Sequence, residues 1–189
     1  MTYYQKAIPK QCTEEILDKM ERSFCKIKGK DNKLGFGFFG YIKNQNIKIP
    51  VLITKDDINI NENNIVNISL NGNNIEIKLG VMIYKNKRDK ISIIEIEDNK
   101  KYKIKYLEFD DGLYEKDPEM LCHKELIYII QYTNKNDILV SYSMIKNINN
   151  NELIYNSDIN TKSKFCLIFN LSNSFKLSCV SKSLFSFKS

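Results

Sequence analysis

The feature that most constrains this chain is a long succession of short segments in which apolar and polar residues alternate, separated by Asn, Asp, Gly and Lys. A period of two is the mark of a strand with one buried face, because successive side chains leave a pleated backbone on opposite sides. In the first half the segments are Ser23–Lys28, Leu34–Ile42, Ile49–Thr54, Asn64–Leu70, Ile75–Leu79, Val81–Tyr84 and Ile91–Ile96. In the second they are Leu126–Tyr132, Ile138–Ile145, Leu153–Tyr155, Cys166–Leu171 and Phe175–Val180. Asn71-Gly72 between two of them is a strong hairpin signal, since a two-residue turn needs positive φ at both positions. Many short strands at regular spacing predict an all-β sandwich or pair of barrels.

One segment breaks the period. Thr13 is placed to cap a short helix, Glu14 to Arg22, with Glu14 and Glu15 in its first turn and Lys19 and Arg22 near its end, an order that suits the helix dipole. Ile16, Leu17 and Met20 share one face, which must pack on something downstream. Asp110-Asp111-Gly112 through Asp117-Pro118 reads as a linker. The expected division is a lead-in and helix over 1–22, a first β-barrel over 23–115, and a second, short and incomplete, over 116–189.

Composition excludes several function classes. At 189 residues and a net charge of +6, with lysines spread along the chain, a nucleic-acid footprint is weakly supported. Five cysteines (Cys12, Cys25, Cys122, Cys166 and Cys179) form neither an even set nor a regular spacing, which argues for buried thiols in a reducing compartment. The first ten residues lack an apolar core and no apolar run reaches membrane-spanning length, so an intracellular, non-membrane protein is expected. Cys122 and His123 lack a second pair at metal-ligand spacing, and Gly35-x-Gly37 lacks the strand-then-helix context of a phosphate loop. No metal or cofactor is therefore expected, and the two glycines are read as relief of strand crowding. The acid pairs Asp56-Asp57 and Asp110-Asp111 read as solvated turns.

Taken in order, several stretches carry a resemblance. GFGFFGYI (Gly35–Ile42) is followed by PVLITKDD (Pro50–Asp57) and KISIIEI (Lys90–Ile96), then IYIIQY (Ile127–Tyr132), VSYSMIKNI (Val140–Ile148), KSKFCLIFNL (Lys162–Leu171) and FKLSCVSKS (Phe175–Ser183). This series resembles the trypsin-like serine peptidases, in particular the short intracellular type of protists and large DNA viruses. Those proteins carry a Gly-Thr-Gly-Phe-Phe strand, a strand ending Leu-Ile-Thr-x-x-His, an Asp-Ile-x-Ile-Ile-Glu-Ile strand and a Gly-Ser-Ser-Gly-Ser-Pro loop. The resemblance covers nearly the whole chain, opening helix included, and implies a chymotrypsin-like double β-barrel.

It also implies where the catalytic residues would stand, and none of the three is the expected type. The general-base position is Asp57, a carboxylate that cannot shuttle a proton near neutral pH as an imidazole does. The orienting-acid position is Lys90, which with Asp57 would form a salt bridge in place of the His–Asp pair. Asp89 is one residue off, which on a strand turns the side chain to the opposite face. The nucleophile position is Cys166, in a Lys-Phe-Cys-Leu context. A cysteine nucleophile needs a base and an oxyanion hole. All seven glycines lie between Gly29 and Gly112, so the second half has none with which to build the hole. His123, the single histidine, falls in the inter-barrel connection, where the family places no catalytic residue.

The resemblance and its departures together imply a pseudoprotease: a binding or structural subunit with protein partners, within a larger assembly such as a virion or organellar complex. The alternatives are a cysteine peptidase using Cys166, and a basic nucleic-acid-binding β-protein.

Overall fold

A computed structural model describes residues 10–28, 34–45, 47–55, 64–86, 91–97, 102–109, 126–133, 138–149, 152–155, 163–170 and 176–181. The chain divides into two compact units, 1–107 and 108–189. The stretch read as a linker, Asp110 to Pro118, lies outside the described residues.

Unit 1 opens with helix α1 (Lys10–Ser23), followed by strands β1 (Phe24–Lys28), β2 (Leu34–Asn44), β3 (Ile47–Lys55), β4 (Ile65–Leu70), β5 (Asn73–Asn86), β6 (Ile91–Ile96) and the two-residue β7 (Leu107–Glu108). The sheet order is β1-β4-β5-β6-β3-β2-β7, and β1 also pairs with β2. That extra pairing closes six antiparallel strands into a barrel and leaves β7 as an appendage on β2. Closure removes the edges of an open sheet and encloses an apolar interior.

The interior is filled by alternate residues from each strand, among them Ile27, Phe39, Leu52, Ile68, Ile77 and Ile94, all essentially buried. On β2 the neighbouring residues Phe38 and Phe39 are both fully buried, so both faces of that strand are covered. Helix α1 lies against β1, β2 and β4, with Ile16 and Met20 buried and Leu17 exposed. Phe24 and Phe36 stack at 6.2 Å between ring centroids. Burying a side chain of this size contributes about 1.5–3 kcal/mol, and double coverage is why β2 reads as a nearly continuous apolar run.

The helix begins about one turn earlier than Thr13 predicts. Thr13 lies inside it, and the first turn holds no acidic residue. The added turn brings Lys10 within 3.4 Å of Glu14 and lets Gln11 donate a hydrogen bond to Glu15 at 3.4 Å. Both are i,i+4 pairs, which support a helix more continuously than a single cap. Farther along, Asp18 pairs with Arg22 at 2.9 Å and with Lys105. The Lys105 N–H also donates to the Arg22 carbonyl at 3.0 Å. The Lys105 hydrogen bond, reinforced by the Arg22 charge, holds the Asp18 carboxyl below its ordinary range. These contacts tie the helix to the segment preceding β7.

The Asn71-Gly72 hairpin forms as its sequence requires, with φ of 48° and 78° at the two turn residues and Leu70 opposite Asn73. Beyond it, the stretches Ile75–Leu79 and Val81–Tyr84 are one strand and not two. β5 runs through Gly80 for 14 residues, with register shifts against β6 on either side of Met82. Gly80 permits the irregularity without ending the strand. A Cβ there would come to 3.3 Å from Glu95.

Unit 2 is a five-stranded antiparallel sheet among the described residues. β8 (Leu126–Thr133), β9 (Ile138–Asn149), β10 (Glu152–Tyr155), β11 (Ser163–Asn170) and β12 (Lys176–Ser181) take the order β10-β9-β8-β11-β12. Central β8 buries Ile127, Ile129 and Ile130 completely, so it too is covered on both faces. Among the described residues, no helix is long and apolar enough to cross a membrane.

Candidate functional site

The end of the barrel at which β3 finishes is built around Gly37. On β2 this residue sits between two strands, opposite Cys25 of β1 and Thr54 of β3. A Cβ at Gly37 would lie 2.9 Å from Ile27 Cδ1, 3.0 Å from Leu52 Cδ1 and 3.0 Å from the Ile53 carbonyl oxygen. The last of these is backbone and cannot swing aside, so glycine is required by close approach. The Gly-x-Gly signature is therefore a packing device at this position, as crowding relief predicts.

Two side chains lock the same point. Thr54 Oγ1 donates to the Phe36 carbonyl at 2.9 Å, with both groups buried. Cys25 Sγ contacts the Gly37 carbonyl at 3.5 Å, and full burial pushes its thiol far above the ordinary range, which leaves it un-ionised and inert. Ser92, also buried, stands opposite Thr54 on β6, and Lys55 stands opposite Ile91. β3 therefore ends, and β6 begins, at the same end of the barrel. Asp57 and Lys90 lie outside the described residues. Thr54 and Ser92 are the polar residues that motif reading did not single out. Their signal is a hydroxyl at an inward position of an otherwise apolar strand, where a buried donor must find a backbone acceptor.

Cys166 is placed in the interior of β11. It stands opposite Gln131 on β8 and opposite Ser181 on β12, so its strand is flanked by partners on both sides. The register against β8 shifts between Ser163 and Phe165, which leaves Lys164 as the extra residue of a bulge. Phe165 itself stands opposite Tyr132. An oxyanion hole needs backbone N–H groups turned toward one point outside the sheet, a geometry different from a doubly flanked strand. His123, Cys122 and the acid pairs Asp56-Asp57 and Asp110-Asp111 lie outside the described residues. Among the described residues, no group of three or more His, Cys, Asp and Glu is placed to hold a metal ion.

No family model matches the sequence, and no curated protein matches it. Solved structures do. A serine endoprotease from Yersinia pestis superimposes with a TM-score of 0.52 at 12% identity, over 90% of this chain and 57% of that one. The inactive form of the Rv3671c protease, a Mycobacterium tuberculosis protein, gives a TM-score of 0.48 at 14% identity, over 93% of this chain and 80% of that one. This chain thus spans little more than half the length of the Yersinia enzyme. At such identity the first likeness establishes fold alone. The architecture is all-β and chymotrypsin-like in two domains, with a closed six-stranded barrel and a short N-terminal helix.

Proposed function

We propose that this protein is a catalytically inactive homologue of the trypsin-like proteases, of the short protist and large-DNA-virus type, that serves as a binding or structural subunit. One observation carries the reading. The strand holding Cys166 is flanked on both sides by antiparallel partners, where a nucleophile would need an exposed position beside convergent N–H groups. The sequence supports it independently. Where the family has a histidine and an aspartate this chain has Asp57 and Lys90, and no glycine follows Gly112. A carboxylate in the base position cannot take a thiol proton near neutrality to useful effect, its own pKa being several units too low.

A barrel kept intact without catalytic groups is a rigid scaffold for protein contacts. The proposed setting is an intracellular assembly or a virus particle with protein partners. In a native extract the chain is then expected to migrate well above its own 22.2 kDa. The decisive experiment incubates the full chain with a mixed peptide library and with a thiol-directed peptidyl probe. The expected result is no cleavage and no selective labelling of Cys166. Cleavage that disappears in a Cys166→Ala variant would overturn the reading and establish a cysteine peptidase.

A further inference from the structure

The Asn71-Gly72 turn that joins β4 to β5 carries a chemistry of its own. The last ladder pair of the hairpin is Leu70 with Asn73, so both turn residues lie beyond the ladder, and both are exposed. Asn71 is held through its carbonyl, which accepts from Asn73 Nδ2 at 3.5 Å, while its carboxamide makes no hydrogen bond among the described residues. A Cβ on Gly72 would meet nothing within 4 Å, so that side of the turn is open. An asparagine carboxamide is an electrophile one ring closure away from the next backbone nitrogen, and glycine is the residue that hinders that nitrogen least. Neighbouring asparagines differ on each count. Asn64, Asn67 and Asn74 precede isoleucine, whose β-branch crowds the nitrogen, and Asn67 and Asn74 sit in ladder pairs with Glu76 and Ser69. Asn73 precedes Asn74 and is itself the ladder residue opposite Leu70. Among the described asparagines, Asn71 alone combines a following glycine with a place outside the ladder.

We infer that Asn71-Gly72 is a site of spontaneous, enzyme-independent deamidation whose isoaspartyl product loosens the barrel along β1, β4 and β5. The Gly72 nitrogen attacks Asn71 Cγ, the Cγ–Nδ2 bond breaks, and ammonia leaves with the amide proton, closing a succinimide ring. The ladder pins Leu70 and Asn73, so closure proceeds as the exposed tip opens locally, a motion of low cost at the end of a hairpin. Water then opens either imide bond. Cleavage at Cγ leaves an aspartate. Cleavage at the main-chain carbonyl leaves an isoaspartate, in which the backbone runs through Cβ and is one atom longer. Asp-Gly favours the same turn as Asn-Gly, so the aspartyl form keeps the hairpin. The isoaspartyl form lengthens a turn whose two-residue span fixes the register of β4 against β5. Leu70 at its base is buried and also pairs with Cys25 of β1, so the disturbance reaches two of the ladders that close the barrel. The inference concerns unit 1 only and stands whether or not the chain cleaves peptides. Its failure would leave the proposal of inactivity untouched.

The test ages the full chain in mildly alkaline buffer beside an Asn71→Gln variant, in which glutamine would have to close a larger and slower-forming ring. Peptide mapping by mass spectrometry follows the amide-to-acid mass change at each asparagine, and chromatography separates aspartyl from isoaspartyl forms. The expected result is conversion at Asn71 at least about tenfold faster than at Asn64, Asn67, Asn73 or Asn74, with both products formed. The isoaspartyl fraction should unfold at a lower temperature than the fresh chain and lose amide protection across β1, β4 and β5. An Asn71→Asp variant should keep the fresh midpoint, and the aged Asn71→Gln variant should keep its own. Conversion at Asn71 no faster than at the other four, or conversion to aspartate alone, would overturn the inference. So would an isoaspartyl fraction with the midpoint and protection of the fresh chain. An equal loss of protection in the aged Asn71→Gln variant would overturn it too, because ageing would then act elsewhere.

Discussion

In unit 1 the strand that leads toward Asp57 is threaded past a glycine whose replacement would strike a backbone carbonyl, whereas in unit 2 the strand that carries Cys166 contains no glycine. Both units are antiparallel, and both bury a central strand on two faces. They differ in how much backbone freedom their sequences retain. Unit 1 keeps glycines where strands crowd, bulge or turn, at Gly37, Gly80 and Gly72, and closes a barrel. Unit 2 has no glycine after Gly112, and β11, despite a bulge at Lys164, stays paired on both sides through Cys166. Such a distribution of glycines is what the proposed loss of catalysis would leave.

The largest expected effect tests whether each unit rests on a core of its own. Leu52 in unit 1 and Ile129 in unit 2 are fully buried, so Leu52→Ala and Ile129→Ala should each cost roughly 2–5 kcal/mol. Hydrogen exchange followed by mass spectrometry should show protection falling across β1 to β6 in the first variant and across β8 to β12 in the second. Loss of protection across both units in either variant would break the comparison, since the two cores would then behave as one.

A smaller effect sharpens it. Gly37→Ala introduces a methyl 3.0 Å from the Ile53 carbonyl and 2.9 Å from Ile27 Cδ1, an overpacking that should cost roughly 1–3 kcal/mol. Thermal unfolding would then fall by several degrees, at about 2–4 °C per kcal/mol for a chain of this size. An unchanged midpoint would show that β2 and β3 can separate, and that Gly37 is not kept for packing.

Strand positions were legible because period-two patterning survives almost any context, and Ile91–Ile96 has the same bounds in sequence and structure. Three features were not. Gly80 reads as a break between segments, because sequence alone does not say whether a glycine ends a strand or lets it bulge. The two-residue β7 is too short to show a period. The helix start was drawn to Thr13, a good cap by residue type, whereas the pairs Lys10–Glu14 and Gln11–Glu15 extend the helix past it. Of the candidate site, the crowding at Gly37 could be anticipated from its motif, whereas the buried hydroxyls of Thr54 and Ser92 were not singled out. Cys166 opens the predicted strand Cys166–Leu171, and the structure adds that β11 starts three residues earlier, at Ser163, which moves the cysteine to the strand interior.

The smallest effect concerns the tie between α1 and the segment before β7, a feature of unit 1 for which unit 2 shows no counterpart among the described residues. Asp18 accepts from both Arg22 and Lys105, and its carboxyl titrates below the ordinary value of 3.8. A folded-state pKa below the unfolded one means that the carboxylate stabilises the fold at pH values above the unfolded pKa. That contribution is lost as pH falls through the folded one. Asp18→Asn should therefore lower the unfolding midpoint slightly at pH 7 and make no difference once the native carboxyl is protonated in acid. The pairs are solvent-accessible and screened, so the pH 7 difference should also shrink in 1 M salt. A difference that persists in acid and in salt would mean that the Asn side chain disturbs packing at the end of α1, and that the helix is held by its apolar face and not by charge.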